Sequence, residues 1–290
     1  DIFDFDSMVA LPEDPSFNIS WLESRRGLHP EEEKSCFKIQ RVIQDHQRWF
    51  SALSDFLLKG HRVVFVIGNH DLELHFPKVQ AEIRRALGLT EEIQKQLRFC
   101  AFFYISNGDT LIEHGNQYDP YCLCQNPISP MVQKFNRIEV RVPFGNLAGR
   151  YLTNGMGFFN PNVDTNFIMS LREYLRFFSR YLIRTQPLIM WTWFWGSCVT
   201  LFQSFTDRLL PDLKDPLTIE DRIEDIAAKA NATPRMVREL KELHLEPAAS
   251  NPLLLAKELW LDRALMVLAA FAIIFQIFAY IKLIFDLSFF

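Results

Sequence analysis

The sequence predicts an α/β domain with appended membrane-associated helices, and three observations carry that prediction. Residues 63–67, Val-Val-Phe-Val-Ile, form a continuous β-branched and aromatic run that turns abruptly polar at Gly68-Asn69-His70-Asp71, as a strand buried on both faces of an α/β sheet does. Segments with helical periodicity lie on both sides of that run. Two stretches, 185–206 and 264–281, contain no charged residue and are long enough to span or lie in a bilayer.

His29-Pro30 ahead of Glu31, Glu32 and Glu33 is a helix start, with proline early and acids in the first turn, where the helix dipole favours them. Apolar residues then recur at helical spacing through Phe37, Val42, Ile43, Phe50, Leu53 and Leu57 until Gly60, so one amphipathic helix is expected before the strand. Residues 77–87 read as a helix closed by Gly88. Residues 99–105 and 110–113 flank Asn107-Gly108, a strong hairpin-turn pair, and the second arm delivers His114-Gly115-Asn116 at its end. Residues 126–166 are rich in Pro, Gly and Asn with weak periodicity and read as long loops over the functional face.

Arg172, Arg176, Arg180 and Arg184 precede the first apolar stretch at four-residue spacing, which places four cations on one helix face suited to anionic lipid headgroups. Between the apolar stretches, residues 218–230 and 234–243 read as two helices, with Thr233 as N-cap and Pro234 as the first helical residue. The short turn resembles a helix-turn-helix, but the pair is not notably basic and adjoins membrane segments, so a plain helical hairpin is expected. The expected organisation is a domain at 1–165, a basic approach helix and first membrane segment at 166–206, a charged helical hairpin at 207–263, and a second, incomplete membrane segment at 264–290.

With 49% hydrophobic and 14% aromatic residues the 290-residue chain is rich for a soluble protein, while 23% charged residues are too many for a polytopic one. A soluble domain with a membrane-seeking part satisfies both. A formal net charge of -4 with mixed signs offers no basic surface for nucleic acid. Five cysteines without regular spacing beyond Cys122-x-Cys124 make no disulfide framework, so a reducing compartment is expected, with the protein at a membrane and its main domain cytoplasmic. Cys122-x-Cys124 has no second Cys/His pair nearby and is not read as a metal site.

A strand ending in Gly-Asn-His-Asp suits metal-assisted phosphoryl chemistry. Gly68 permits a tight turn, Asn69 offers an amide oxygen to a divalent ion, His70 gives or takes a proton near neutral pH, and Asp71 fixes the imidazole tautomer.

On these residues the chain resembles the calcineurin-like metallophosphoesterase family, whose ordered motifs are Asp-x-His, Gly-Asp, Gly-Asn-His-Asp, a lone His before Gly, and Gly-His-x-His. Gly68 to Asp71 reproduces the third motif, His114-Gly115 resembles the fourth, and Asp1-Ile2-Phe3-Asp4-Phe5 resembles the second without its glycine. Glu113-His114-Gly115-Asn116 is also similar to the His-Gly-Asp of the UDP-diacylglucosamine hydrolase branch, with Asn116 where that branch has Asp; Asp119, in a Tyr-Asp-Pro turn, reads as a surface residue rather than a substitute. The resemblance covers residues 1–120. It implies a metallophosphoesterase-type β-sandwich flanked by helices, in a chain truncated at both ends.

The resemblance further implies two divalent metal ions, manganese, iron or zinc. Asp1 would bridge them, Asn69 and His114 would bind the second, and His70 with Asp71 would be catalytic, His70 protonating the leaving group or steadying the phosphate. Asp-x-His and Gly-His-x-His are not among these residues, and His244 is the only histidine after His114, so the first metal is left short of ligands. The implied reaction is hydrolysis of a phosphomonoester, phosphodiester or pyrophosphate by a metal-bridging hydroxide. Expected partners are a phosphorylated small-molecule or lipid-linked substrate and membrane lipids. A closing histidine motif beyond residue 290 would need an even number of membrane crossings before it, which two spans supply and which is met equally if both segments embed in one leaflet. A catalytically inactive scaffold or binding module is the rival reading; a transporter is disfavoured because the apolar stretches carry no charge cluster.

Overall fold

Helix, strand and polar loop occur around Phe65 in the expected order. The computed structural model describes residues 1–126, 128–134, 137–156, 170–184, 188–210 and 219–288. Contacts divide the chain into two units, Asp1–Ser250 and Asn251–Phe290.

In the first unit, α1 (Trp21–Arg26) opens with a complete capping box, Ser20 accepting from the Glu23 amide while the Glu23 carboxylate accepts from the Ser20 amide. The long helix expected before the strand is two helices, α2 (Glu32–Asp45) and α3 (Gln47–Leu58). His46 leaves the helical region at φ -119°, and the break re-aims α3 so that Phe50, Leu53 and Leu57 are buried. Strand β1 (Val63–Val66) pairs in parallel with β2 (Leu97–Cys100), with α4 (Pro77–Ala86) and the single-turn α5 (Glu91–Gln94) lying between them in sequence. With one described neighbour strand, β1 buries Phe65 while Val63, Val64 and Val66 are half-buried, less than the two-sided burial the apolar run predicts.

Residues 99 and 100 therefore belong to a parallel strand. The hairpin arms are β3 (Phe103–Ser106) and β4 (Thr110–Glu113), closed by Asn107 at φ 55° and Gly108 at φ 80°, the double positive φ of a type I′ turn. The region read as long loops holds an antiparallel pair, β5 (Met131–Lys134) and β6 (Arg137–Val140), then α6 (Phe144–Tyr151). Four-residue strands and a helix carrying Gly145 and Gly149 are too short and too glycine-rich to register as periodicity; residues 157–166 of that reading lie outside the described residues. The architecture is mixed α/β with three two-stranded sheets among the described residues. Its main core joins Phe3, Phe5, Ile39, Phe50, Phe65, Ile83 and Leu97.

The helix α7 (Leu171–Arg184) exposes Arg172, Arg176 and Arg180. The first apolar stretch forms α8 (Ile189–Leu209), and here the expectation of a membrane span is corrected: α8 packs against α6, burying Ile189, Gly196, Ser197, Thr200 and Ser204. A Cβ on Gly196 would lie 2.7 Å from the Tyr151 carbonyl oxygen, so the two helices approach at van der Waals contact. The expected helical hairpin is present as α9 (Ile219–Lys229) and α10 (Pro234–Glu242), with Thr233 accepting from the Met236 amide at 3.3 Å. Its apolar face is not free: Ile223, Ile226, Ala227 and Val237 close a second core over Phe103 and Ile105, and the Ile105 amide donates to the Ala230 carbonyl at 2.8 Å.

The second unit consists of α11 (Pro252–Glu258) and α12 (Leu261–Ser288). Residues Leu261–Phe285 of α12 are long and apolar enough to cross a membrane, with none of that stretch buried; among the described residues no other helix passes the same test. The described residues thus hold one helix that passes as a candidate span, where two candidate segments were expected.

Candidate functional site

The site is assembled where β1 ends. The Ile67 amide donates to the Cys100 carbonyl at 2.9 Å, the last rung joining β1 to β2, and the chain then turns through Gly68-Asn69-His70-Asp71 into a 3₁₀ turn at Leu72–His75. Across this turn lies the segment 1–6, where Phe3 and Phe5 are buried in the aromatic core and Asp1 and Asp4 stay exposed. The Phe5 amide donates to the His70 carbonyl at 3.1 Å, and the His70 amide to Asp1 Oδ1 at 2.9 Å.

Asp71 is fully buried, and its two oxygens accept from the Gly68 and Ile2 amides, each at 2.6 Å. It therefore clamps the loop to the segment carrying Asp1 and does not hold the His70 ring, contrary to the role assigned from the sequence. The partner of that ring is Asp4, whose Oδ1 lies 3.3 Å from His70 Nδ1, with Asp6 Oδ2 at 3.9 Å. Pairing with Asp4 raises the His70 pKa in spite of its partial burial. Burial pushes the Asp4 carboxyl up, but hydrogen bonds from His70 and Ser7 outweigh it and leave Asp4 lowered to about 2.

His114, delivered by β4, places Nε2 3.0 Å from Asp1 Oδ2. A Cβ on Gly68 would fall 2.2 Å from Asp1 Oδ1 and 2.7 Å from His114 Nε2. Any larger residue there would have to displace Asp1 or His114, and the three close on one point although Asp1 and His114 are 113 positions apart in sequence. Burial lowers the His114 pKa, which favours the neutral imidazole that coordinates a cation.

Asn69 is buried, and its Nδ2 donates to Asn146 Oδ1 at 3.0 Å. Asn146, fully buried on α6, returns its own Nδ2 to the Asn69 carbonyl at 2.8 Å and to Asp6 Oδ2 at 2.6 Å, while Arg150 one turn on donates to Asp6 Oδ1 at 2.5 Å. With the Asn69 amide nitrogen tied to Asn146, its oxygen is the atom that could bind a cation. Asn146, Arg150, Asp4 and Asp6 were missed by sequence reasoning. Their signals are local: two polar residues at i and i+4 in the otherwise apolar α6, and acids alternating with Phe3 and Phe5.

The donor set of Asp1, Asn69 and His114, one carboxylate, one amide oxygen and one imidazole, fits a hard or borderline divalent ion. Asp4, Asp6 and His70 also bring ligand atoms within 4.8 Å of one another. Both Asp6 oxygens are already held by Arg150 and Asn146, so we read that trio as the charge environment of His70. Asp119 is an exposed turn residue accepting from the Tyr121 amide at 2.8 Å, and His244 caps the end of α10 through the Lys241 carbonyl; neither joins the site. None of the five cysteines forms a disulfide, Cys122 and Cys124 included. No family model, no curated protein and no solved structure matches this chain.

Proposed function

We propose that this protein is a membrane-associated two-metal phosphoesterase that hydrolyses a phosphomonoester, phosphodiester or pyrophosphate bond, with β1 and β2 belonging to a metallophosphoesterase-type sandwich. The observation that supports the reading is the meeting of Asp1, the Gly68 to Asp71 turn and His114 at the end of a strand, from three separate parts of the sequence. Asp1, Asn69 and His114 would hold one divalent ion; the ligands completing the other are not among these residues. Manganese, iron or zinc bound there would supply polarisation of the phosphoryl oxygens and an acidified water.

The chain's own groups do the rest. His70, whose pKa is raised by its pairing with Asp4, would meet the anionic phosphoryl group as a cation or hand its proton to the leaving oxygen. Asp71 keeps Asp1 and the loop in register through two backbone amides. Asn146 holds the Asn69 amide in the orientation a cation needs. The helix α12 anchors the protein, and cysteines without disulfides favour a cytoplasmic site; a phosphorylated small molecule or lipid-linked compound is the substrate class.

The full-length protein, supplied with manganese, is tested on a simple phosphomonoester, phosphodiester and pyrophosphate, with metal content measured on the same sample. Turnover that falls with His70→Ala, and bound manganese that falls with His114→Ala, are expected. Manganese binding without turnover on any substrate would favour the inactive binding module, and absence of both overturns the proposal.

A further inference from the structure

The face of α8 that does not bury is as regular as the face that does. Trp191, Trp195, Cys198, Phe202, Phe205 and Leu209 recur at alternating steps of four and three, and all but the half-buried Cys198 are exposed, Phe202 by 65% and Leu209 by 68%. So large an apolar stripe marks an interaction surface. Its spacing is that of a helix–helix seam, so another helix and a lipid leaflet compete as occupants.

The flanks decide between them. A seam formed in water is bordered by charged residues that keep the free helix soluble and set partner choice. On α8 no residue from Ile189 to Thr206 is charged, and the exposed Met190 widens the stripe. Trp191 and Trp195 are the residue type that concentrates at the headgroup boundary, where an apolar ring and a polar N–H are both satisfied. The cations lie just upstream: Arg172, Arg176 and Arg180 are exposed at four-residue steps on α7, with Leu171 and Leu175 exposed among them. Arg184 ends α7 five residues before Ile189, so chain length alone keeps it within roughly 18 Å of the start of α8. Cations next to an uncharged aromatic stripe complement an anionic leaflet.

We infer that α8 is an in-plane membrane helix: the Asp1–Ser250 unit lays the Trp191 to Leu209 stripe into the headgroup–acyl boundary of an anionic leaflet, with the α7 arginines on lipid phosphates. This contact is separate from the α12 crossing and does not depend on the phosphoesterase reading. Its consequence is positional. The opposite face of α8 packs on α6, which carries Asn146 and Arg150, so the candidate site rides on a helix held at the lipid surface.

The test uses the full chain with Trp260→Phe, so that the tryptophan preceding α12 does not report, reconstituted in phosphatidylcholine–phosphatidylglycerol vesicles whose acyl chains carry bromine, a contact quencher of tryptophan. Loss of a clear fraction of the emission, that of the stripe tryptophans, is expected relative to unbrominated vesicles. Adding Trp191→Phe and Trp195→Phe, mild changes at exposed positions, should remove most of that bromine-sensitive fraction. The quenching should weaken in pure phosphatidylcholine, and R172E/R176E/R180E should erase the difference between the two lipid mixtures. Emission indifferent to bromine overturns the inference; if Cys198 then cross-links to Cys198 of another copy under mild oxidation, the stripe is a protein seam instead. Neither readout involves hydrolysis, so the inference and the proposed activity fail separately.

Discussion

The helices α8 and α12 look alike in sequence, each built around an uncharged apolar stretch of membrane length, yet they pack differently. One side of α8 carries Gly196, Thr200 and Ser204 at four-residue spacing, and that side is buried against α6. Residues of α12 are apolar all round and exposed from Leu265 to Phe285. The difference teaches that hydropathy finds the segment and the placement of small residues says what it packs against. Small residues in register allow a helix to dock on protein at short range, whereas uniform large side chains suit a lipid surround.

The sharpest way to break that contrast is to place a charge in each helix. Phe275→Arg at the middle of α12 should cost about 2.5–3.5 kcal/mol of insertion free energy and release the protein from membranes on alkaline extraction. Phe202→Arg on the exposed stripe of α8 should leave the protein anchored, because α8 does not cross. If both variants extract alike, the distinction fails.

The second comparison adds bulk. Gly196→Val puts a side chain where the Tyr151 carbonyl already lies 2.7 Å from a Cβ, and overpacking of this kind costs about 1–3 kcal/mol. Urea unfolding of the detergent-solubilised protein should show the loss, while Ala270→Val in α12 should not change the midpoint. Since α6 bears Asn146, the Gly196 variant should also weaken manganese binding. Unchanged stability would mean that α8 is not docked on α6.

The third separates orientation from folding. Asn146→Ala removes the group that ties down the Asn69 amide, and loss of such an outer partner typically lowers metal affinity by about 10–100-fold. Manganese titration should show that drop in a chain whose circular dichroism spectrum is unchanged. Unaltered affinity would remove Asn146 from the site.

The legibility of this molecule follows the same division between local and distant information. Gly68 to Asp71 could be read because four adjacent residues at a strand end state their own geometry, and Asn107-Gly108 because a turn with two positive φ values has few solutions. The meeting of Asp1 with His114 was foreseeable from motif order alone. Asn146 was not, since its partner is 77 positions away and a lone Asn in a short apolar helix reads as a loop. Asp71 was placed at the site and given the wrong task, because a carboxylate that accepts two backbone amides leaves no trace in side-chain pattern. The docking of α8 was written in Gly196, Ser197, Thr200 and Ser204, but hydropathy averages over them.

Acid should separate the two units as well. All seven histidines lie in Asp1–Ser250 and none in the unit bearing α12. Burial lowers His29 and His75 each to about 3, from 6.5 for the unburied group. Above pH 6.5 both are neutral whether folded or unfolded and contribute no pH dependence. Between 6.5 and about 3 the unfolded chain binds protons that the folded unit refuses, so stability falls as pH falls through that window. The urea midpoint of the Asp1–Ser250 transition should decline from pH 6.5 downward, and His75→Phe should flatten the decline by removing one of the two protons that unfolding takes up. Membrane retention through α12 should stay constant over the same range. A midpoint independent of pH would mean that burial does not keep either imidazole neutral in the folded unit.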